Sequence, residues 1–250
     1  MASAIQAFSD AFSSYCTLAA EYFAYSSILV IASMALSFFA ALCLGISGTV
    51  SLGGVASAFA SDGSAGFAAI GYGVSMGARF MCLLAVLWVS SGLHGAYLSI
   101  INGFISRRSR SLGEFFLCVP KFATPIMMIS IICGVLVGVP LLLAMAIAPA
   151  LGGIFSIFSL LFSILCVAAA AFLLVFALPA SVVDKKGPIS AIRASVAASL
   201  RNPAQVAIFF AIALALAIPG LVPGFSAVYI PLFYLPLAAS ALLRLYRAAH

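Results

Sequence analysis

Long apolar stretches recur along the chain at 27–46, 79–104, 122–147, 154–180, 204–221 and 226–243, each about long enough to cross a hydrocarbon layer as a helix. Within them the apolar residues are continuous rather than alternating. In lipid every backbone N–H and C=O must be satisfied within the protein, and continuous runs achieve this as helices, whereas barrel strands require alternation. The pattern predicts an all-α polytopic membrane bundle of about six transmembrane helices, forming a single membrane domain over 1–250. Ahead of the first span, Ile5, Phe8, Phe12, Tyr15, Ala19 and Tyr22 fall at three- and four-residue steps, while Gln6, Ser9, Asp10, Ser13, Thr17 and Glu21 lie largely elsewhere. This predicts an amphipathic interfacial helix within 1–26. Its polar face has no basic residue, so packing on the bundle rather than anionic lipid is expected to hold it. Residues 47–77 turn to Gly, Ser and Ala with Asp62 as the single acidic residue, and are expected to form a loop or short re-entrant segment.

Composition excludes a water-soluble fold: 66% of residues are hydrophobic and 6% charged, against about 25% charged in a typical soluble domain. The net charge of +6 would raise the question of nucleic acid in a soluble protein. Here the basic residues flank apolar segments and form no aromatic-interleaved surface, which excludes that partner. Arg107, Arg108, Arg110 and Lys121 lie in one inter-helix loop, Lys185, Lys186, Arg193 and Arg201 in another, and Arg244 and Arg247 near the end. Under the positive-inside rule both loops and both termini are expected to face the cytoplasm, with Arg79 alone on the far side. No Lys or Arg precedes Arg79, so a basic cleavable signal is not expected and the chain should begin near Met1.

The two basic loops read alike. "FISRRSRSLGEFFLCVPKFATP" and "SVVDKKGPISAIRASVAASLRNP" each follow a long helix with a basic cluster, a short amphipathic stretch and a proline opening the next span. Leu112, Phe115, Phe116 and Val119 form the first apolar stripe, and Ile189, Ile192, Val196 and Leu200 the second. A parallel internal repeat, helix, interfacial helix, helix, is expected from this correspondence.

The second loop, with its basic pair, Gly-Pro helix start, Ala-x-x-x-Ser core and Arg-Asn ending, resembles the YciC-like membrane proteins and the membrane domain fused to some glycerophosphodiester phosphodiesterases. The resemblance extends back to "GLHGAYLSIINGFISRRSRSLGEFF" and forward to "YIPLFYLPLAASALLRLYRAAH", covering about 80–250. It implies a six-helix bundle with interfacial helices in the inner membrane, with no established activity for most members. No hydrophilic segment is long enough to hold the soluble phosphodiesterase domain, so catalysis does not carry over.

Within the spans, His94 is the titratable group nearest the middle of a helix, where an unpartnered polar group is costly. Ser90, Ser91 and Tyr97 are its candidate partners, and an interhelical hydrogen bond is favoured over a proton or substrate contact. Ser91, Gly95 and Ser99 recur every fourth residue, and Gly134 and Gly138 form a GxxxG, both read as helix-packing positions. Arg107, Arg108, Arg110, Lys185 and Lys186 are the candidate contacts to lipid headgroups or a partner. Glu114 and Asp184 sit beside Arg110 and Lys185, which favours local ion pairs over acid–base chemistry. "GYGVSMG" at 71–77 lacks the spacing and the preceding strand of a phosphate loop. The six cysteines are scattered, with neither CxxC nor neighbouring histidines, so no metal and no cofactor are expected. The expected function is a non-enzymatic inner-membrane protein that organises the membrane or binds lipid, another membrane protein or a second copy of itself. The alternative is a small transporter or channel in which Pro140, Pro179, Pro219, Pro231 and Pro236 interrupt helices at a gate.

Overall fold

A computed structural model describes residues 3–59, 65–108, 111–151, 153–222 and 225–249, excepting the side chains of 42–75, 144–156, 160 and 227. Every regular element among the described residues is helical: α1 (Ala4–Phe59), α2 (Ala65–Ile105), α3 (Leu112–Leu151), α4 (Gly153–Leu174), α5 (Ala177–Val183), α6 (Pro188–Arg201), α7 (Pro203–Ala217), α8 (Ser226–Tyr229) and α9 (Leu235–Ala249). Five stretches are long and apolar enough to cross a membrane, Ala4–Ala41, Met76–Ile105, Leu112–Leu143, Ile157–Val183 and Pro203–Leu221. Their outward faces carry large apolar side chains such as Ile31, Phe38, Leu142, Leu165 and Leu214. Water would not tolerate so much contiguous apolar surface, whereas lipid requires it. The chain is a multi-pass membrane protein with an all-α fold.

Several boundaries differ from the sequence reading. Residues 47–59 and 65–77, expected to be a loop or re-entrant segment, continue α1 and α2; residues 60–64 lie outside the described residues. Gly, Ser and Ala are compatible with helix when no proline interrupts them, and small residues are common in membrane helices. Leu18, at φ −124° and ψ 26°, breaks the helical path of α1. The sixth expected span, 226–243, is not one regular helix: α8 passes into a wider π-helical turn, Ile230–Tyr234, and then into α9. The Leu235 N–H bonds to the carbonyl of Ile230, five residues back. Pro231 lies within this turn and Pro236 just after it, and a proline lacks the N–H and crowds the carbonyl four residues earlier, which the wider turn accommodates. The fourth stretch likewise breaks at 175–176, and α7 ends through a 3₁₀ turn, Ile218–Leu221, containing Pro219.

The two halves of the expected repeat also fold differently. The amphipathic stretch after the first basic loop is the opening of the continuous α3, whereas its counterpart is a separate helix, α6, divided from α7 at Asn202 (φ −132°, ψ 53°). Asn202 precedes Pro203, and a residue before proline is pushed out of the helical region. The apolar stripe of α6 divides: Ile189 and Leu200 are exposed, Ile192 and Val196 are half-buried with Ile192 packed on buried core, and the fully buried positions are Ala191, Ser195, Ala198 and Ser199. Lipid is as apolar as leucine, so large residues gain little by packing inward and small ones allow close approach.

Packing is most extensive between α2 and α3, then between α1 and α2. One buried cluster joins these three through Tyr22, Leu29, Tyr97, Phe104, Phe115 and Phe122; a second joins the start of α1 to α5, α6, α7 and α9 through Phe8, Phe176, Ala198, Phe209 and Tyr246. The segment of α1 before Leu18 acts as a strap. Its Ala4 N–H donates to Gln205 Oε1 at 2.7 Å, Phe8 stacks on Phe209 at 5.4 Å, and Ser14 accepts from Arg244.

Candidate functional site

α2 ends where Arg107 takes a positive φ of 55°, with the Arg107 N–H bonding to Phe104 C=O and the Arg108 N–H to Gly103 C=O. This pair of bonds satisfies carbonyls that a helix end leaves open, as a C-terminal glycine motif does, with arginine at the left-handed position. Lys185 repeats the feature after α5 at φ 54°. The first basic residue of each cluster therefore also makes the turn out of its helix. Arg108 and Lys185 are exposed, and Arg110 lies outside the described residues. Lys186 is half-buried and ion-paired with Asp184 at 2.7 Å, rather than Lys185 being the partner.

Asp184 Oδ2 also accepts the Tyr246 hydroxyl at 2.5 Å. Burial pushes the Tyr246 phenol above its ordinary pKa, and the hydrogen bond to Asp184 and its charge add in the same direction. On the other side of α9, Arg247 Nη2 donates to Asn102 Oδ1 at 2.7 Å and to Ser106 Oγ at 2.8 Å. These bonds gather the ends of α2, α5 and α9 at one basic end of the bundle. Arg79, 26 residues before Ile105 on the same α2, stands roughly 40 Å away along the helix axis. Arg244 donates to Ser14 from the same helix as Arg247. Desolvation, then the neighbouring Arg244 charge, lowers the Arg247 pKa.

The intramembrane polar residues do not assemble as the sequence reading expected. Tyr97 is buried and meets Ser26 of α1, Oη to Oγ 2.7 Å. His94 is exposed, and its Nδ1 lies 2.8 Å from the Ser90 carbonyl in its own helix. A carbonyl only accepts, so Nδ1 donates in this bond. Ser91 and Ser99 are buried.

Among the described residues small-residue packing is real at Gly92 and Gly95 of α2 and not found at the GxxxG of α3. A Cβ placed on Gly95 would lie 2.5 Å from Ile126 Cδ1 and closer still to Phe122, and one on Gly92 would lie 2.5 Å from the Val119 carbonyl oxygen. At Gly134 and Gly138 a Cβ would meet nothing within 4 Å. The GxxxG of α3 therefore faces away from the described bundle and is not one of its packing seams. Gly92, one turn from Gly95, was missed because the four-residue spacing drew the eye to Ser91 and Ser99.

His94 borders two adjoining cavities that share Leu29 and Leu235. One, of about 350 Å³, is lined by α1, α2, α5, α7 and α9 through residues including Tyr97, Leu98, Leu178, Phe209 and Ala238. The other, of about 440 Å³, reaches Ser33, Met34 and Ser37 on α1. The lining is overwhelmingly aliphatic and aromatic, with His94, the tyrosine hydroxyls and two serines as its polar groups. A space of this size suits a lipid chain or similar apolar molecule. Among the described residues no group of three His, Cys, Asp or Glu side chains is placed to hold a metal.

No protein-family model, no curated protein and no solved structure matches this chain.

Proposed function

We propose that the protein is a non-enzymatic inner-membrane protein that binds membrane lipid, seating apolar chain in the cavities beside His94 and setting the basic end against the anionic cytoplasmic leaflet. On this reading the termini are cytoplasmic, Arg107, Arg108, Arg110, Lys185 and Lys186 approach the headgroups, and the chain stands with the YciC-like membrane proteins on the residues quoted above. The observation that carries it is the composition of the pocket. A conduction path needs polar groups lining it, whereas Tyr97 is tied to Ser26 and Gly92 and Gly95 are closed against α3. What remains open is largely apolar space, with His94, Tyr234, Ser33 and Ser37 as its few other polar groups.

Native mass spectrometry of protein gently extracted from its own membrane tests this against Ala238→Phe, which places a ring in the cavity of about 350 Å³. Lipid should be retained by the wild type and reduced in the variant. A wild type that carries no lipid, together with solute flux in reconstituted vesicles, would replace this reading with the transporter.

A further inference from the structure

We infer that the face of α9 carrying Ser240, Arg244 and Arg247 is a phosphate site, taking the phosphate of an anionic phospholipid headgroup or a free phosphate. It rests on the lipid-binding reading for its physiological source but stands on different residues. Steps of four and three place these side chains on one face of α9, walled by Ser14 and Tyr22 of α1, by Asn102 of α2 and by Ser106 just past its end.

Charge points to an anion. Both guanidiniums bond only to neutral protein groups, and among the described residues neither has a carboxylate within 4 Å, unlike Lys186 with Asp184. Two like charges on adjacent turns of one helix repel, and a shared anion would reverse the sign of that interaction. The protein bonds they make all come from Nη2, which leaves Arg244 Nη1 and Arg247 Nε and Nη1 as donors without a protein partner.

Unmet polar groups converge on the same place. Among the described residues Arg244 Nε, the Tyr22 hydroxyl and the Ser240 hydroxyl are buried and have no hydrogen-bond partner of good geometry. Tyr22 and Ser240 are each 1% exposed and lie against one another, with Arg244 beside them and Glu21 acting on Tyr22 as well. Buried polar groups without partners are uncommon, and two guanidiniums with spare donors and two hydroxyls able to donate are matched by an acceptor-only ligand. Arginine presents its donors as a planar fork suited to phosphate oxygens. Phosphate offers enough acceptors for two forks and a hydroxyl together, and the site lies at the basic end, where headgroups stand in the proposed orientation.

The test measures binding to purified protein by native mass spectrometry and thermal shift. The probes are phosphatidylglycerol, diacylglycerol with the same chains, phosphatidylcholine and inorganic phosphate. Arg244→Gln with Arg247→Gln should weaken phosphatidylglycerol binding roughly tenfold or more and leave diacylglycerol binding unchanged. Neutralising Arg107, Arg108, Arg110, Lys185 and Lys186 should weaken it less. Protection by inorganic phosphate alone, lost in the same double variant, would assign the site to free phosphate. Should the Gln pair fail to fold, Arg244→Lys with Arg247→Lys retains both charges and removes the forks, and weaker phosphatidylglycerol binding by well-folded Lys protein is the expected result. Undiminished binding in the Gln pair, or in the Lys pair where that is the one that folds, overturns the inference. So does a wild type that does not prefer phosphatidylglycerol and gains no protection from phosphate. If diacylglycerol still binds in that case, the lipid reading survives alone; if no lipid binds, both fall.

Discussion

Ser195 and Ser199 make a matched pair for testing what holds the break between α4 and α5. Both are serines on α6 and both are 0% exposed. Ser195 Oγ donates to the Leu173 carbonyl at 2.8 Å and accepts the Phe176 N–H at 3.0 Å, so one hydroxyl satisfies two backbone groups freed where the helix is interrupted. Ser199 Oγ has no partner. Ser195→Ala strands a buried donor and a buried acceptor, each costing about 1–3 kcal/mol where water cannot reach them. Hydrogen bonds in membrane proteins average nearer 0.6 kcal/mol, because the unfolded chain also finds partners in the bilayer. The expected loss is therefore about 1–3 kcal/mol in total, set between twice the membrane average and half the aqueous maximum. Ser199→Ala removes only an unsatisfied hydroxyl and should be neutral or slightly stabilising. Thermal unfolding of both variants in nanodiscs, read by monodispersity after heating, makes the comparison. Equal stability of the two variants would refute the bridging role and leave ordinary packing as what sets the α4–α5 angle.

Gly95→Ala should lower the melting temperature of the protein, because its new methyl would fall 2.5 Å from Ile126 and closer to Phe122 and push α2 from α3, while Gly138→Ala, with nothing within 4 Å, should leave it unchanged in the same melt. Alkaline pH should also destabilise the protein through Tyr246. Its pKa is raised in the folded state above the ordinary value of 10.0, so the native form holds its proton where the unfolded form has lost it. That contribution is complete below pH 10 and declines as pH rises beyond it. A melting-temperature series across this range should fall more steeply for wild type than for Tyr246→Phe, and parallel curves would remove Tyr246 as the cause.

The class of fold was legible because hydrocarbon leaves a chain so few options: continuous apolar runs had to be helices. Where the helices end was less legible. Leu18 carries no glycine or proline to mark its break, and the Gly/Ser/Ala-rich stretch after 46 reads as loop by composition while remaining helical over 47–59 and 65–77. On α6 the large-residue stripe was legible, but the small residues that form its fully buried face were not, because such a stripe marks the core in water and divides between core and lipid here. His94 was visible as the intramembrane titratable group, but its partner is a backbone carbonyl, which sequence cannot point to. Ser26 and Tyr97 are 71 residues apart and meet only through tertiary packing. The spacing of Ser240, Arg244 and Arg247 was readable, yet the two arginines already had an explanation as topology signals. What distinguishes them, the buried unmet polar groups around Arg244, exists only in three dimensions.

The strap at the start of α1 has a consequence for how the protein is made. Its partners Gln205 and Arg244 lie 201 and 230 residues downstream. At synthesis rates of about 5–20 residues per second, the first turns of the chain wait roughly ten to fifty seconds before the surfaces they bind exist. Residues 4–14 are thus among the last of the described segments to dock, since the contacts of Ala4, Phe8 and Ser14 cannot form until α7 and α9 have been made.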